Sequence, residues 1–424
     1  MHYFQYKNDQ LYAEDVSVAL LVQEYGTPLY IYSASTLTRH YHAFESAFSD
    51  IKHLICYSVK ANSNLSVLKI LGQEGSGADI VSGGELFRAL RAGIPAKKIV
   101  YSGVGKEVSE IQEALLADIL LFNVESIQEL ERINTIAQDM DKVARVSLRI
   151  NPDVDPKTHP YISTGLKENK FGLSRPEALK AYKLAQTLTH VDPIGMDCHI
   201  GSQLTSLEPF MEALGRLKEF YTELQGLGIP IQYLDLGGGL GITYNEEEPP
   251  HPKELGEAIG TSLQDLDVTL ILEPGRVIAG NTGILVTEVQ YLKENGEKNF
   301  VIVDAAMNDL VRPSLYGSYH RIAPVCQKNR EEVVVDVVGP ICESSDFLAK
   351  DRSLPRVAQG DLLAIFSAGA YGFTMSSQYN SRPRAAEVIV QGAHHILARK
   401  REVYNDLTVL EESGLTLVTE MSKD

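Results

Sequence analysis

Between about Lys52 and Arg276 the sequence repeats one phrase: a short apolar, β-branched run, a turn rich in Gly, Ser or Asn, then an amphipathic helical stretch. Eight such runs can be counted: HLICYSV from His53, ADIVS from Ala78, KIVYSG from Lys98, ILLFNV from Ile119, RVSLRI from Arg145, IGMDCHI from Ile194, YLDLG from Tyr233 and TLILE from Thr269. The stretches between them, such as EALKAYKLAQTL from Glu177 and LEPFMEALGRLKEFYTEL from Leu207, carry apolar residues at spacings of three and four. Eight β/α units in about 225 residues match a (β/α)8 TIM barrel in count and length.

After Arg276 the rhythm changes to strands separated by turns, as in GILVTEVQYLKENGEKNFVIVDAA from Gly283, EEVVVDVVGP from Glu331 and AAEVIVQG from Ala385. The chain of 424 residues is longer than one core usually grows, so two domains are expected. They are a barrel over residues 33–280 and an all-β C-terminal domain, a sandwich or barrel, over 281–424. Residues 1–32, with LYIYSA from Leu29, read as strand and turn and are assigned to the β domain, although they could also precede the barrel. The polar, Pro-punctuated connection from Asn151 to Gly172 is longer than a loop needs to be, and is a candidate lid or partner contact.

Lys and Arg total 39 against 56 Asp and Glu, a formal charge of −17, which argues against a nucleic-acid partner and requires any anionic ligand to be held by locally concentrated donors. The N-terminal MHYFQYKNDQLYAED lacks the features of a signal peptide, and no run of apolar residues reaches membrane-spanning length, so a soluble cytoplasmic protein is expected. Cys56, Cys198, Cys326 and Cys342 have no CxxC spacing, which suits a reducing compartment and offers neither a disulfide framework nor a metal site.

A TIM barrel builds its active site at the C-terminal ends of its strands, and the reactive residues cluster there. Lys60 ends the first strand, Asp79 and Ser82–Glu85 the second, His199 and Ser202 the sixth, Gly237–Gly239 the seventh, and Glu273 with Pro274–Arg276 the eighth. Taken singly, each has an ordinary explanation: a rim lysine paired with an acid, a core histidine, a tight turn, a structural salt bridge. Together they are what pyridoxal 5'-phosphate (PLP) needs. Lys60 follows an apolar strand where desolvation favours the neutral amine. The glycine turn lets backbone N–H groups approach a phosphate. His199 offers a flat ring for stacking, and Glu273 a carboxylate to keep a pyridine nitrogen protonated.

SVKAN, HIGSQ, LDLGGGLGI, EPGR, CESSD and GAYGF, in this order over nearly the whole chain, resemble the fold-type III PLP-dependent decarboxylases, the alanine-racemase-like barrel group that includes ornithine, arginine and diaminopimelate decarboxylases. Within that group the chain is most similar to the branch acting on diaminopimelate. The resemblance implies that Lys60 binds the cofactor covalently, His199 stacks on its ring and Glu273 pairs with its nitrogen. Ser202, Gly238, Gly239 and Pro274, Gly275 and Arg276 would hold the phosphate, with Tyr371 closing on it. It further implies that Cys342 is the proton donor and Glu343 a substrate-contacting acid, each reaching the cofactor of a second copy in an obligate homodimer with shared sites. Cys342 and Lys60 of one chain would then lie far apart.

Glu273 favours decarboxylation over racemisation, because alanine racemases of this fold place an arginine there, which would weaken the electron sink. A thiol such as Cys342 can return a proton near neutral pH, although an isolated cysteine more often simply packs. For the far end of the substrate, Arg312 and Tyr316 in MNDLVRPSLYGSYH, with Arg276, can fork onto a carboxylate, and Tyr371 closes nearby. Glu343 can take a distal ammonium. The expectation is decarboxylation of meso-2,6-diaminopimelate to L-lysine and CO2, with no metal. The rivals are decarboxylases acting on ornithine, arginine or carboxynorspermidine, a non-catalytic PLP-binding homeostasis protein, and an aldolase-type barrel binding a sugar phosphate.

Overall fold

The structure is a computed structural model that describes residues 2–154, 170–296 and 298–421. It comprises two compact units, Thr36–Gly280 and a unit made of Met1–Ser35 with Asn281–Asp424. Most of the connection from Asn151 to Gly172 falls outside the described residues.

In Thr36–Gly280 eight parallel strands close into a barrel. They are His53–Ser58, Gly77–Ile80, Ile99–Tyr101, Leu121–Val124, Ala144–Arg149, Val191–Asp197, Tyr233–Asp235 and Thr269–Leu272. The seam is made by the last strand pairing with the first in the register Leu270 to His53, Ile271 to Leu54 and Leu272 to Ile55. Every residue of the second, third and fourth strands is buried, which is why they read as unbroken apolar runs rather than alternating ones. The sixth strand begins at Val191, three residues before the apolar run at Ile194. Asp192 and Pro193 disguise its start, and the pairing slips between Pro193 and Gly195, where proline has no N–H to give the ladder.

The intervening helices begin where the sequence supplies caps. Ser82 accepts from Glu85 N at 3.2 Å ahead of Gly83–Ala92, and Ser126 accepts from Glu129 N at 3.1 Å ahead of Ile127–Asp139. The helix Pro252–Leu263 rests on the turn Ser46–Phe48 through Gly256, where a β-carbon would stand 2.0 Å from the Ala47 carbonyl oxygen.

The second unit holds a nine-stranded mixed sheet. Leu29–Ser33 lies at its centre, antiparallel to Gly283–Asn295 and parallel to Ala386–Gln391. Leu11, Leu21, Ile31, Val286 and Val388 share its apolar core. The C-terminal portion is not composed of strands alone. Arg312–Tyr316, Tyr404–Thr408 and Glu412–Met421 are helical. The β-branched residues around Tyr404 suggest strand, but Asp406 accepts the Val403 N–H at 2.8 Å and starts a helix instead. No helix among the described residues is long and apolar enough to cross a membrane.

Two glycines of one helix predict opposite outcomes. Gly256→Ala should lower stability by about 1–3 kcal/mol through overpacking against Ala47. Gly260→Ala, where nothing lies within 4 Å, should be neutral or stabilising by up to about 1 kcal/mol through helix propensity. Urea unfolding of the two variants checks this, and equal shifts would contradict the packing.

Candidate active site

The first barrel strand runs directly into a single 3-10 turn, Val59–Ala61, which presents Lys60 at the rim. Its ammonium lies 2.6 Å from Asp79 Oδ2, on the neighbouring strand. Asp79 is fully buried, and the same oxygen accepts from Ser58 Oγ at 2.8 Å. Ser58 also binds across the seam, with its hydroxyl 2.9 Å from the Glu273 carbonyl and its N–H donating to Pro274 O at 3.1 Å. The lysine, its acid and the end of the eighth strand are therefore held by one short polar network.

Glu273 is buried, and its Oε1 accepts from Ser102 Oγ at 3.2 Å and from Asn123 Nδ2 at 3.3 Å. Asn123 Nδ2 also lies 3.2 Å from Asp235 Oδ2, and Asp235 Oδ1 receives the Gly237 N–H at 2.8 Å. Burial, reinforced by Asp235 and Asp79, pushes the Glu273 carboxyl well above the usual carboxylate range. Burial and the charge of Asp197 push Asp235 up to about 8. On the far side Arg149 donates to Glu125 at 2.8 Å and faces Asp197 at 3.8 Å. The barrel mouth thus concentrates carboxyl groups with few cations to balance them.

Gly237 and Gly239 adopt φ of 63° and 119°, which only glycine takes without strain. Gly238 has an ordinary φ but no room, since a β-carbon there would stand 2.2 Å from Glu273 O. Its N–H donates to His199 Nδ1 at 3.2 Å, so that nitrogen is an acceptor and the neutral ring carries its proton on Nε2. Burial, with Arg149 and Lys60 adding repulsion, holds the His199 imidazole well below its ordinary range. Ser202 Oγ lies 3.0 Å from Arg276 Nη2 and 3.3 Å from its Nε, while Arg276 Nη1 donates to Tyr244 OH at 2.7 Å. The barrel therefore brings together Lys60, His199, Ser202, Gly238, Gly239, Glu273, Pro274, Gly275 and Arg276.

The remaining candidates belong to the other unit. Arg312 opens the short helix that ends at Tyr316, and its Nη1 donates to His320 Nε2 at 3.0 Å. A guanidinium only donates, so His320 must accept there, and its Nδ1–H binds Phe366 O at 2.8 Å. Cys342 and Glu343 are exposed on the turn after the strand Glu332–Val338. Asp346 shapes that turn by accepting Ile341 N at 2.7 Å and Met307 N at 2.8 Å, and Ser314 Oγ ties the Arg312 helix to Ser345 O at 2.5 Å. Asn380 Oδ1 accepts Cys342 N and Tyr379 OH donates to Glu343 Oε2, both at 2.8 Å. Tyr371 is half-buried with φ of 56°.

Sequence patterns gave no role to Arg149, Asn123, Asp235, Tyr244 or His320. The one available signal was Asp235 preceding the glycine turn by a single residue. Arg149, Asn123 and Tyr244 act through contacts with residues from other parts of the barrel, and His320 through a contact with Arg312 across a loop, which no regular spacing encodes.

The residues fit PLP. A primary amine stands on the rim, a neutral flat ring faces the glycine turn, and Ser202 with Arg276 offers donors for a phosphate. Asp79 Oδ1 and Asp197 Oδ1 are buried without a hydrogen-bond partner, and the surplus of carboxyls suits a protonated ring nitrogen. Among the described residues no cluster of three or more His, Cys, Asp or Glu is placed to hold a metal ion.

Residues 34–280 match the family model "Pyridoxal-dependent decarboxylase, pyridoxal binding domain", so fold and site define a barrel-type PLP-dependent decarboxylase. The chain is 54% identical to diaminopimelate decarboxylase of Haemophilus influenzae, over 97% of this chain and all of that protein. It is 54% identical to the Vibrio cholerae enzyme of the same name, over 97% of this chain and 99% of that one. The crystal structure of diaminopimelate decarboxylase from Helicobacter pylori complexed with L-lysine superposes with a TM-score of 0.91 at 48% identity, covering 93% of this chain and 99% of that one. The chain belongs to the diaminopimelate decarboxylases.

The neutral state of His199 makes stability depend on pH. Below about 6.5 the unfolded chain protonates this residue while the folded chain does not, so its contribution falls with acidification. Relative to His199→Asn, the cofactor-free wild type should lose stability between about pH 7 and 5, with a slope below about 1.4 kcal/mol per pH unit, the one-proton limit. Parallel denaturation curves across that range would contradict a neutral ring in the folded chain.

Proposed function

We propose that this chain decarboxylates meso-2,6-diaminopimelate to L-lysine and CO2 with PLP. The observation that carries this is the joining of Lys60, Asp79 and Glu273 by one network at the barrel mouth, in a chain that matches diaminopimelate decarboxylases over nearly its full length. When bound, PLP supplies the electron sink for the pair of electrons released as CO2 leaves.

The chain's own residues do the rest. Lys60, steadied by Asp79, binds the cofactor covalently and yields to the substrate amine. The Glu273 carboxylate keeps a positive charge on the ring nitrogen, which makes the sink deep enough for loss of CO2. His199 covers one ring face. Ser202, Gly238, Gly239 and Pro274–Arg276 would hold the phosphate, with Tyr371 as a further contact, a reading supported by the hydrogen bond between Arg276 and Ser202. Arg312, hydrogen-bonded to His320, and Tyr316 would receive the distal carboxylate, a role in which Arg276 and Tyr371 would share. Glu343 takes the distal ammonium, and the Cys342 thiol returns a proton to the reacting carbon.

Cys342 and Glu343 are exposed in the isolated chain, which supports their serving the site of a second copy in a homodimer. The Asp346 and Ser314 contacts hold the Cys342 turn and the Arg312 helix on one platform.

Supplying meso-diaminopimelate and PLP should yield equal amounts of CO2 and L-lysine, and folded holoenzyme giving neither would refute the assignment. Glu273→Gln should retain cofactor and lose roughly 10²- to 10³-fold in kcat. Arg312→Ala should cost about 2–5 kcal/mol in kcat/KM, chiefly through KM. Unchanged use of diaminopimelate by that variant would remove Arg312 from substrate binding. Mixing inactive Lys60→Ala with inactive Cys342→Ala should restore activity towards about a quarter of wild type. Random pairing makes half the dimers mixed, each with one intact shared site. No recovery from a mixture shown to exchange subunits would place both residues in the same chain's site.

A further inference from the structure

The barrel mouth contains a carboxyl that the reaction as described does not use. Asp235 is 1% exposed, lies two residues before the glycine turn, and shares the Asn123 amide nitrogen with Glu273. Two carboxyls sharing one donor in a buried site resist double ionisation, so the pair favours keeping one proton. The surroundings favour its retention. Asn123 Nδ2 sits 3.2 Å from Asp235 Oδ2 and 3.3 Å from Glu273 Oε1, donating to the oxygens that bear charge. Gly237 N–H supports Asp235 Oδ1 at 2.8 Å, and Ser102 Oγ supports Glu273 Oε1 at 3.2 Å.

Neighbouring charges do not replace the proton. From the adjoining strands Asp79 faces Glu273 with Lys60 at its far side, and Asp197 faces Asp235 with Arg149 shared between it and Glu125. Lys60 and Arg149 thus meet Asp79, Glu125, Asp197, Asp235 and Glu273, and Cys56, also facing the pair, is raised by burial and stays a thiol. With His199 neutral, these two cations leave the group short of positive charge, and full ionisation in a buried site would be costly.

We infer that Asp235 and Glu273 form a carboxyl dyad that stores one proton in the cofactor-free chain and hands it from Glu273 to the cofactor's ring nitrogen on binding. The O–H bond on Glu273 breaks and an N–H bond forms. Glu273 becomes the carboxylate partner of the new cation, Asp235 stays ionised on the Gly237 N–H and the Asn123 amide, and nothing is oxidised or reduced. Asp235 is thus a positioning residue. It keeps Glu273 charged with a proton before binding, and through Gly237 it links the nitrogen partner to the phosphate turn. The inference rests on the proposed placement of Glu273 against the ring nitrogen.

The test counts protons by titrating PLP into apoenzyme calorimetrically in buffers of different ionisation enthalpy. In wild type the ring proton comes from the dyad. In Asp235→Asn, Glu273 loses the carboxyl neighbour that reinforces its hold on a proton, so less of it is protonated and the ring nitrogen draws more of its proton from solvent. At a pH above the free cofactor's ring titration, the variant should take up more protons per site than wild type, up to about one. Changes at Lys60 and the phosphate are common to both and cancel. A merely structural role for Asp235 would weaken affinity without changing this difference. Equal proton numbers, with Glu273→Gln still crippled in turnover, would overturn the dyad and leave the placement of Glu273 standing. Wild-type turnover in Glu273→Gln would overturn that placement and the inference with it. If Asp235→Asn does not fold, wild type suffices for an infrared difference spectrum upon adding PLP. A protonated-carboxyl band, shifted in D2O, should vanish on binding, and its absence would refute the stored proton.

Discussion

The catalytic arrangement depends on closure of one parallel ladder. A parallel barrel sends all its strand ends to a single mouth, so side chains from Lys60 to Glu273 converge although the sequence separates them widely. The seam matters most, because it is where the first and last strands must meet in register. Ser58 reinforces it with contacts to Asp79, to the Glu273 carbonyl and to Pro274. The same few atoms that close the cylinder thus fix the lysine, its acid and the backbone carrying Glu273.

Convergence carries an electrostatic cost. Several carboxyls drawn into one dry mouth raise each other's proton affinity, as burial and mutual charge do at Asp197, Asp235 and Glu273. In the proposed site, a globally acidic chain could still bind an anionic cofactor because Arg276, Ser202 and backbone N–H groups stand apart from the carboxyls. Charge is sorted by position, with the carboxyls gathered around Glu273 and the donors around Ser202 and Arg276.

Much of this was legible in the sequence, for identifiable reasons. Fully buried strands such as Gly77–Ile80 and Leu121–Val124 must be continuously apolar, so they announce themselves, and strand-end residues can then be assigned to the mouth by topology alone. Pro193 hid three residues of the sixth strand, because a proline near a strand start looks like a turn. The helices after Tyr404 were hidden by β-prone side chains whose preference a single cap overrides. The pairings of Arg149 with Glu125, Asn123 with Asp235 and Arg276 with Tyr244 join residues far apart in sequence, and only the register of the closed ladder brings them together.

Recognition of a distal carboxylate illustrates why such second partners matter. A guanidinium rotates and bends unless its N–H groups are committed, and Arg312 is committed twice, to His320 Nε2 at 3.0 Å and to Ser318 Oγ at 3.2 Å. His320 can accept only while neutral, and it is kept in the required tautomer by Phe366 O. Protonating that imidazole would turn an acceptor into a second cation facing Arg312 and would displace the guanidinium. On the proposed role of Arg312, specificity for a substrate bearing a carboxylate at its far end would rest on a buried histidine that need never touch the substrate, just as the proton on Glu273 is inferred to rest on its carboxyl neighbour.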